Sequence, residues 1–284
     1  EITTRLVGSE MCIRDRYYLV RTSDESTDKI EGSVVWCKWT NHEILVLLIK
    51  RILTYFGDSV DENTLMKTPQ LHLRFHLERV MESTFSGRGK WENVYMYKIL
   101  MSLIRKRPRD LVKLCSLAAQ QAQQTNSPLI KTEHFQAIFE EYSQGRIQDT
   151  INEYKSELPN IENLLFGMRP TKKQRNASDG YIYTTAELIQ KLNNIRQHTN
   201  FIFKNGRKAS ANELAQFLYK INFLTARKIV ESGEIQRKYF EENRYISSSF
   251  VDFGYDWEVH PAFRWVLQPE NINEIFNKLA LSHD

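Results

Sequence analysis

The run Arg105-Lys106-Arg107-Pro108-Arg109-Asp110 fixes where one helix must end and the next begin. Proline has its φ locked near the helical value and lacks an N–H, so Pro108 suits the first position of a helix and no interior one. Asp110 falls in the first turn, where the helix dipole favours a carboxylate. The arginines are thereby held at a helix start, able to fork onto carboxylate or phosphate oxygens. A solvated basic turn that pairs with local acids is the competing reading.

Around this break the pattern predicts mostly helices. Residues 41–56 read as an amphipathic helix, capped by Asn41 and stopped by Gly57, with Ile44, Leu45, Leu48, Ile49 and Ile52 on one side. Residues 58–70 are polar and irregular. Residues 71–81 fit helical and alternating spacing equally, and 85–90 form a loop with two glycines. Helices follow over 91–104 and 108–124. Thr132 caps a further helix through Tyr142, and 143–158 and 160–166 complete a bundle.

Residues 168–180 then mark a domain boundary rich in turn-forming residues and carrying Lys172, Lys173 and Arg175. Beyond it, Thr184-x-x-Glu187 and Ser210-x-x-Glu213 are capping-box signatures, each opening a short helix. Asn205-Gly206 signals a turn within residues 201–208. Three β-rich runs follow over 223–230, 235–245 and 250–259, with turns at Gly233 and Gly254, and Pro261 starts a short helix through Trp265. The expected fold is mainly α with a small β part: a helical bundle followed by a winged-helix-like α+β domain.

Composition excludes several classes. The chain has 284 residues, 41% hydrophobic and 26% charged, an ordinary globular profile with room for two domains. Of three cysteines, Cys37 and Cys115 are far apart and none stands in a Cys-x-x-Cys context, which points to a reducing, cytoplasmic setting without structural zinc. The longest apolar run, residues 44–49, is followed by Lys50 and Arg51, whereas a bilayer span needs roughly twenty residues; no membrane partner is expected. His72 and His76 lack a third metal ligand. His260 reads as a structural histidine. Asp252, Asp256 and Glu258 would spread over both faces of a strand. No catalytic residue and no metal site is nominated.

A net charge of +4 permits nucleic-acid contact without demanding it. Lys204, Arg207 and Lys208 flank the 205–206 turn and, with Lys172, Lys173 and Arg175, form the candidate contact to DNA phosphates; a solvated loop is the alternative. The helix over 211–221 offers only Asn212, Gln216 and Lys220 for reading bases, which favours non-specific binding or a protein-facing role. Tyr239, Phe240, Tyr245, Phe250, Phe253, Tyr255 and Trp257 read as a sheet core rather than a base-stacking platform.

Arg-Pro-Arg-Asp-Leu opening an Ala-rich helix resembles the lid of bacterial AAA+/STAND-type P-loop ATPases of the origin-recognition kind. The resemblance runs from about Tyr17 to about Leu267 and takes in residues 39–51, 105–122, 142–157 and His260-Pro261-Ala262-Phe263-Arg264. It implies that Arg107 or Arg109 reaches nucleotide phosphates as a sensor-2 element, and that Arg21 stands at the sensor-1 position. It also implies a winged helix that binds DNA or a partner protein, and self-association through the ATPase region. ATP and Mg²⁺ are the implied cofactors of the intact protein only. No G-x-x-x-x-G-K-[ST] and no Walker B run occurs, so the chain is expected to be the C-terminal part of a longer ATPase, inactive alone.

Residues 5–16 resemble a translated sequencing adaptor, and residues 1–16 are set apart from the fold as an artefactual leader. That leaves 17–167 as the lid region, 168–180 as a linker and 181–284 as the winged-helix-like domain. A stand-alone winged-helix DNA-binding regulator, with a helical dimerisation or effector domain, is the second reading.

Overall fold

In a computed structural model the described residues are 39–171, 174, 180–229, 235–242, 254–268 and 279. The chain clusters into two compact units, Glu1–Trp39 and Thr40–Asp284, and of the first only Trp39 is described. Residues 5–16, Arg21, Lys172, Lys173, Arg175, Tyr245, Phe250 and Phe253 lie outside the described residues. The second unit is mainly α-helical with two small antiparallel sheets, the expected fold class.

Capping chemistry sets the first helices. Helix α1 (Asn41–Tyr55) is capped by Thr40 rather than Asn41: the Thr40 hydroxyl accepts from the Glu43 N–H at 3.1 Å, and Glu43 reaches back to the Thr40 N–H at 2.7 Å. Gly57, at φ 78°, takes the left-handed conformation that ends it. The stretch read as irregular holds α2 (Glu62–Lys67), because Asp61 accepts from the Thr64 N–H. Residues left open between helix and strand form α3 (Gln70–Leu77).

The predicted helix at 91–104 starts later, as α4 (Met96–Leu103). Asn93, at positive φ, and a two-residue ladder between β1 (Thr84–Phe85) and β2 (Val94–Tyr95) delay it. Helix α5 (Pro108–Gln124) has Pro108 at its first position, as the sequence requires. Helix α6 (Thr132–Tyr154) runs unbroken through Ser143, where a break was expected; its cap residue is Lys131. Packing supports its length: Phe135, Ile138, Phe139, Tyr142, Ile147 and Ile151 are all buried. Helix α7 (Ile161–Gly167) completes the helical part.

Both capping boxes beyond residue 180 form, opening α8 (Thr185–His198) and α9 (Ala211–Lys220). The strands are β3 (Ile182–Tyr183), β4 (Leu224–Ile229), β5 (Ile235–Lys238) and β6 (Asp256–Val259), in the order β3-β6-β4-β5, all neighbours antiparallel. Trp257 lies opposite Tyr183 on one side and Ala226 on the other, at the sheet's centre. A 3-10 turn (Pro261–Phe263) and α10 (Arg264–Leu267) follow.

That last turn closes the core. Trp265 packs on Phe139 of α6 at 4.7 Å between ring centroids and on Trp91 at 5.9 Å. Phe85 and Phe135 extend the cluster. The Trp91 indole N–H donates to the Leu279 carbonyl at 3.0 Å, and the Val266 N–H to the Ser143 hydroxyl at 3.1 Å. Residues before and after 168–180 therefore share one aromatic core. Trp265→Ala is expected to cost about 3–5 kcal/mol and to lower a single unfolding transition of the helices and the sheet. Urea titration followed by circular dichroism and tryptophan fluorescence checks this; two separated transitions would contradict it.

Candidate functional site

Lys106, at φ 51°, turns the chain sharply between α4 and α5, so successive basic side chains leave in different directions. Arg105 points inward and is 1% exposed. Its Nε donates to Asp110 Oδ2 at 2.9 Å, its Nη2 to Asp110 Oδ1 at 3.4 Å and its Nη1 to the Thr150 hydroxyl at 3.0 Å. Lys106 reaches Glu242 at 2.5 Å, with its ammonium over the Tyr239 ring. Arg107 pairs with Glu153 at 3.2 Å. Arg109 is half-buried, forms no ion pair with any described residue, and has a buried Nη2 with no hydrogen-bond partner among them.

Asp110 is occupied from two sides, by Arg105 and by Arg146 of α6. Burial alone would raise its carboxyl pKa; the two guanidinium groups override this and hold it well below the usual carboxylate range. Burial likewise disfavours the Arg107 cation, but Glu153 outweighs it and its pKa is raised. The basic turn is thus neither fully solvated nor uniformly free. Three of its four cations are matched by named carboxylates, and Arg109 is the exception.

A second buried ionic group lies in the sheet. Glu258 accepts from Arg237 Nε at 2.7 Å and Nη2 at 3.0 Å, and pairs with Arg264 and, at 3.8 Å, with Arg227. Burial opposes ionisation, and the arginines pull the carboxyl down to about 2. The sequence carried little sign of either cluster. Arg146 lies 36 residues from its partner, and Glu258 reads as one of several scattered strand acids.

His260 sits between the two groups, fully buried. Its Nδ1 accepts from the Ala262 N–H at 3.1 Å, which places the ring proton on Nε2, facing the Tyr239 hydroxyl at 3.2 Å. Burial, then Arg105 and Arg237, lower its pKa to about 3. His72 and His76 lie on the single helix α3, and the described residues hold no group of three or more metal-ligating side chains.

The candidate DNA-contacting residues are on a tight turn between α8 and α9. Gly206, at φ 79°, and the Asn205 side chain, accepting from the Arg207 N–H at 3.0 Å, shape it. Lys204, Arg207 and Lys208 are all exposed. Arg207 is taken by Glu213 of the α9 capping box; the Lys204 and Lys208 side chains meet no carboxylate among the described residues. Helix α9 itself is largely covered: Phe217 packs edge-on against Tyr154, Lys220 pairs with Glu157 at 2.7 Å, and Asn212 is its one exposed residue. Tyr239, Phe240 and Trp257 are buried in the sheet core.

This helical frame bears comparison with known proteins. Residues 70–151 match the model of the FunZ-associated C-terminal helical domain. The matched segment is less than half of the chain; it starts at α3 and ends within α6, and so contains the basic turn, Asp110 and Arg146. No curated protein and no solved structure matches the chain.

The buried imidazole gives a pH dependence with a definite sign. The unfolded chain protonates it near 6.5 and the folded chain only near 3. Between those values the unfolded state holds the extra proton, so stability falls as pH is lowered. The wild type should lose about 1.4 kcal/mol per pH unit once well below 6.5. His260→Asn, which keeps a capping side chain, should remove the loss between pH 6.5 and 5. Equal slopes for the two proteins in urea titrations at stepped pH would refute the assignment.

Proposed function

We propose that this chain is the nucleotide-sensing lid and C-terminal binding half of a P-loop ATPase, with Arg109 as its phosphate-facing residue. One observation carries the reading. Among the cations of the basic turn, Arg109 alone keeps a guanidinium without a carboxylate, at the first turn of a 17-residue helix whose dipole favours anions. Such an arginine acts on the charge of a transferring phosphoryl group and moves no proton. Arg105, Lys106 and Arg107 hold its platform.

The turn also touches the elements that would answer to it. Lys106 binds Glu242 just beyond β5, and Arg105 lies over the Phe263 ring at 5.3 Å. A change of charge at Arg109 would bear on a turn already clasped to the sheet. In the chain joined to a P-loop core, Arg109→Ala should lower ATP turnover by orders of magnitude and leave the melting temperature near its original value. Arg107→Ala should instead cost mainly stability, because it removes a cation paired with the nearly buried Glu153 carboxylate. Unchanged turnover with Arg109→Ala would end the sensor reading.

Lys204 and Lys208 favour nucleic acid as the target of the C-terminal half; this feature equally suits a stand-alone winged-helix DNA-binding regulator. Their placement on an exposed turn supports phosphate contact, whereas Arg207 is already neutralised. Lys204→Ala with Lys208→Ala should flatten the slope of log K against log salt by about two contacts' worth, close to 0.9 each. Measured by fluorescence anisotropy with duplex DNA, an unchanged slope would turn the module toward protein recognition.

A further inference from the structure

Helix α8 buries little of itself. Leu188 and Leu192 are its two buried residues, and Ile195 closes against Gly167 of α7. On the side opposite the two leucines, Gln190, Asn193, Asn194 and Gln197 are all exposed. Their spacing of three, four and seven residues puts four carboxamides on one face. Gln190, Asn194 and Gln197 form no hydrogen bond with a described residue, while Asn193 accepts from Arg196 at 3.0 Å. Alanine, glutamate or lysine is the usual filling for a face that only needs to be wet and helical. Asparagine is a poor helix former, and two adjacent asparagines here weaken the helix with no packing in return.

Carboxamides have one recognition property that charged groups lack: each offers a donor and an acceptor side by side. Adenine presents the matching pair, N6 and N7, in the major groove of DNA, which is wide enough for a helix. The surroundings of the stripe carry complementary charge. Arg196 flanks it on one side, and the loop leaving the C-terminal end of α8 bears Lys204 and Lys208, while Lys191 on the other side donates to the Arg169 carbonyl at 2.8 Å. Glu187, the acid nearest its start, is engaged in the capping box. Helix α9, which precedes the β4–β5 hairpin and would be the obvious helix to enter a groove, is covered by its own neighbours.

We propose that α8 is the base-reading helix of this chain, and that Gln190, Asn193, Asn194 and Gln197 contact adenine edges in the major groove of duplex DNA. The inference rests on the nucleic-acid reading of the C-terminal half and adds sequence preference to it. Arg196, Lys204 and Lys208 hold the phosphates; the amides choose the register.

The test uses the full chain and a pool of short DNA duplexes with randomised centres, selected by binding and sequenced. The wild type should enrich duplexes with adenines at fixed positions. Gln190→Ala, Asn194→Ala and Gln197→Ala combined should leave the circular dichroism intact, because alanine favours the helix. This variant should bind the unselected pool with unchanged affinity and salt slope. It should lose the preference for the enriched duplex, about ten-fold or more for each amide–adenine pair.

Binding without enrichment by the wild type would overturn the inference and leave the phosphate-contacting role of Lys204 and Lys208 standing. Enrichment of the same duplex by the triple variant would also overturn it. No binding of any duplex at low salt would remove the nucleic-acid reading itself, and the stripe with it, in favour of a protein surface.

Discussion

Asp110 stands at the start of α5 with 0% exposure, met by a guanidinium from the preceding turn and another from α6. A carboxylate that has lost all water persists as an ion only where partners of opposite charge and good geometry replace the solvent. Those partners set positions. Arg105 can reach Asp110 only if the chain folds back between α4 and α5, and Arg146 only if α6 lies alongside α5. One side chain thus fixes the turn and the pairing of the two longest helices. Thr150, one turn after Arg146, holds the remaining side of Arg105.

The consequence for chemistry is a division of labour among neighbouring cations. Residues 105, 106, 107 and 109 are alike in sequence and unlike in surroundings: one is sealed in the core, two are spent on carboxylates, and one is left with an unmatched group. Glu258 repeats the buried motif in the sheet with Arg237 and Arg264, and His260 lies between the two clusters, its field shared by both. Ionic groups of this kind contribute less to net stability than their number suggests. Their effect is to make one arrangement of turn, helix and sheet admissible and its neighbours costly.

Local chemistry was legible in the sequence wherever a rule acts within a few residues. Pro108, Gly57 and the capping boxes at Thr184 and Ser210 each specify a boundary through their own backbone, and each boundary is where it was expected. Errors arose where tertiary contacts override the local rule. Helix α6 continues through Ser143 because its apolar face is buried along its length, and α4 starts late because Asn93 and a two-residue strand claim the preceding segment. Strand β3 is too short to carry a pattern and exists through its pairing with β6. At the candidate site the basic turn was visible, but which arginine stays unmatched depends on Glu153 and Arg146, both dozens of residues away.

Trp91 donates its indole proton to the carbonyl of Leu279, 188 residues further along. The aromatic cluster around it also waits for Trp265. On a ribosome, where synthesis proceeds at roughly 5–20 residues per second, the helices around Trp91 emerge many seconds before the residues that seal them. During that interval the faces of Trp91 and Phe139 that Trp265 covers in the finished fold stay open, and a nascent chain in this state offers them to chaperones rather than to its own core.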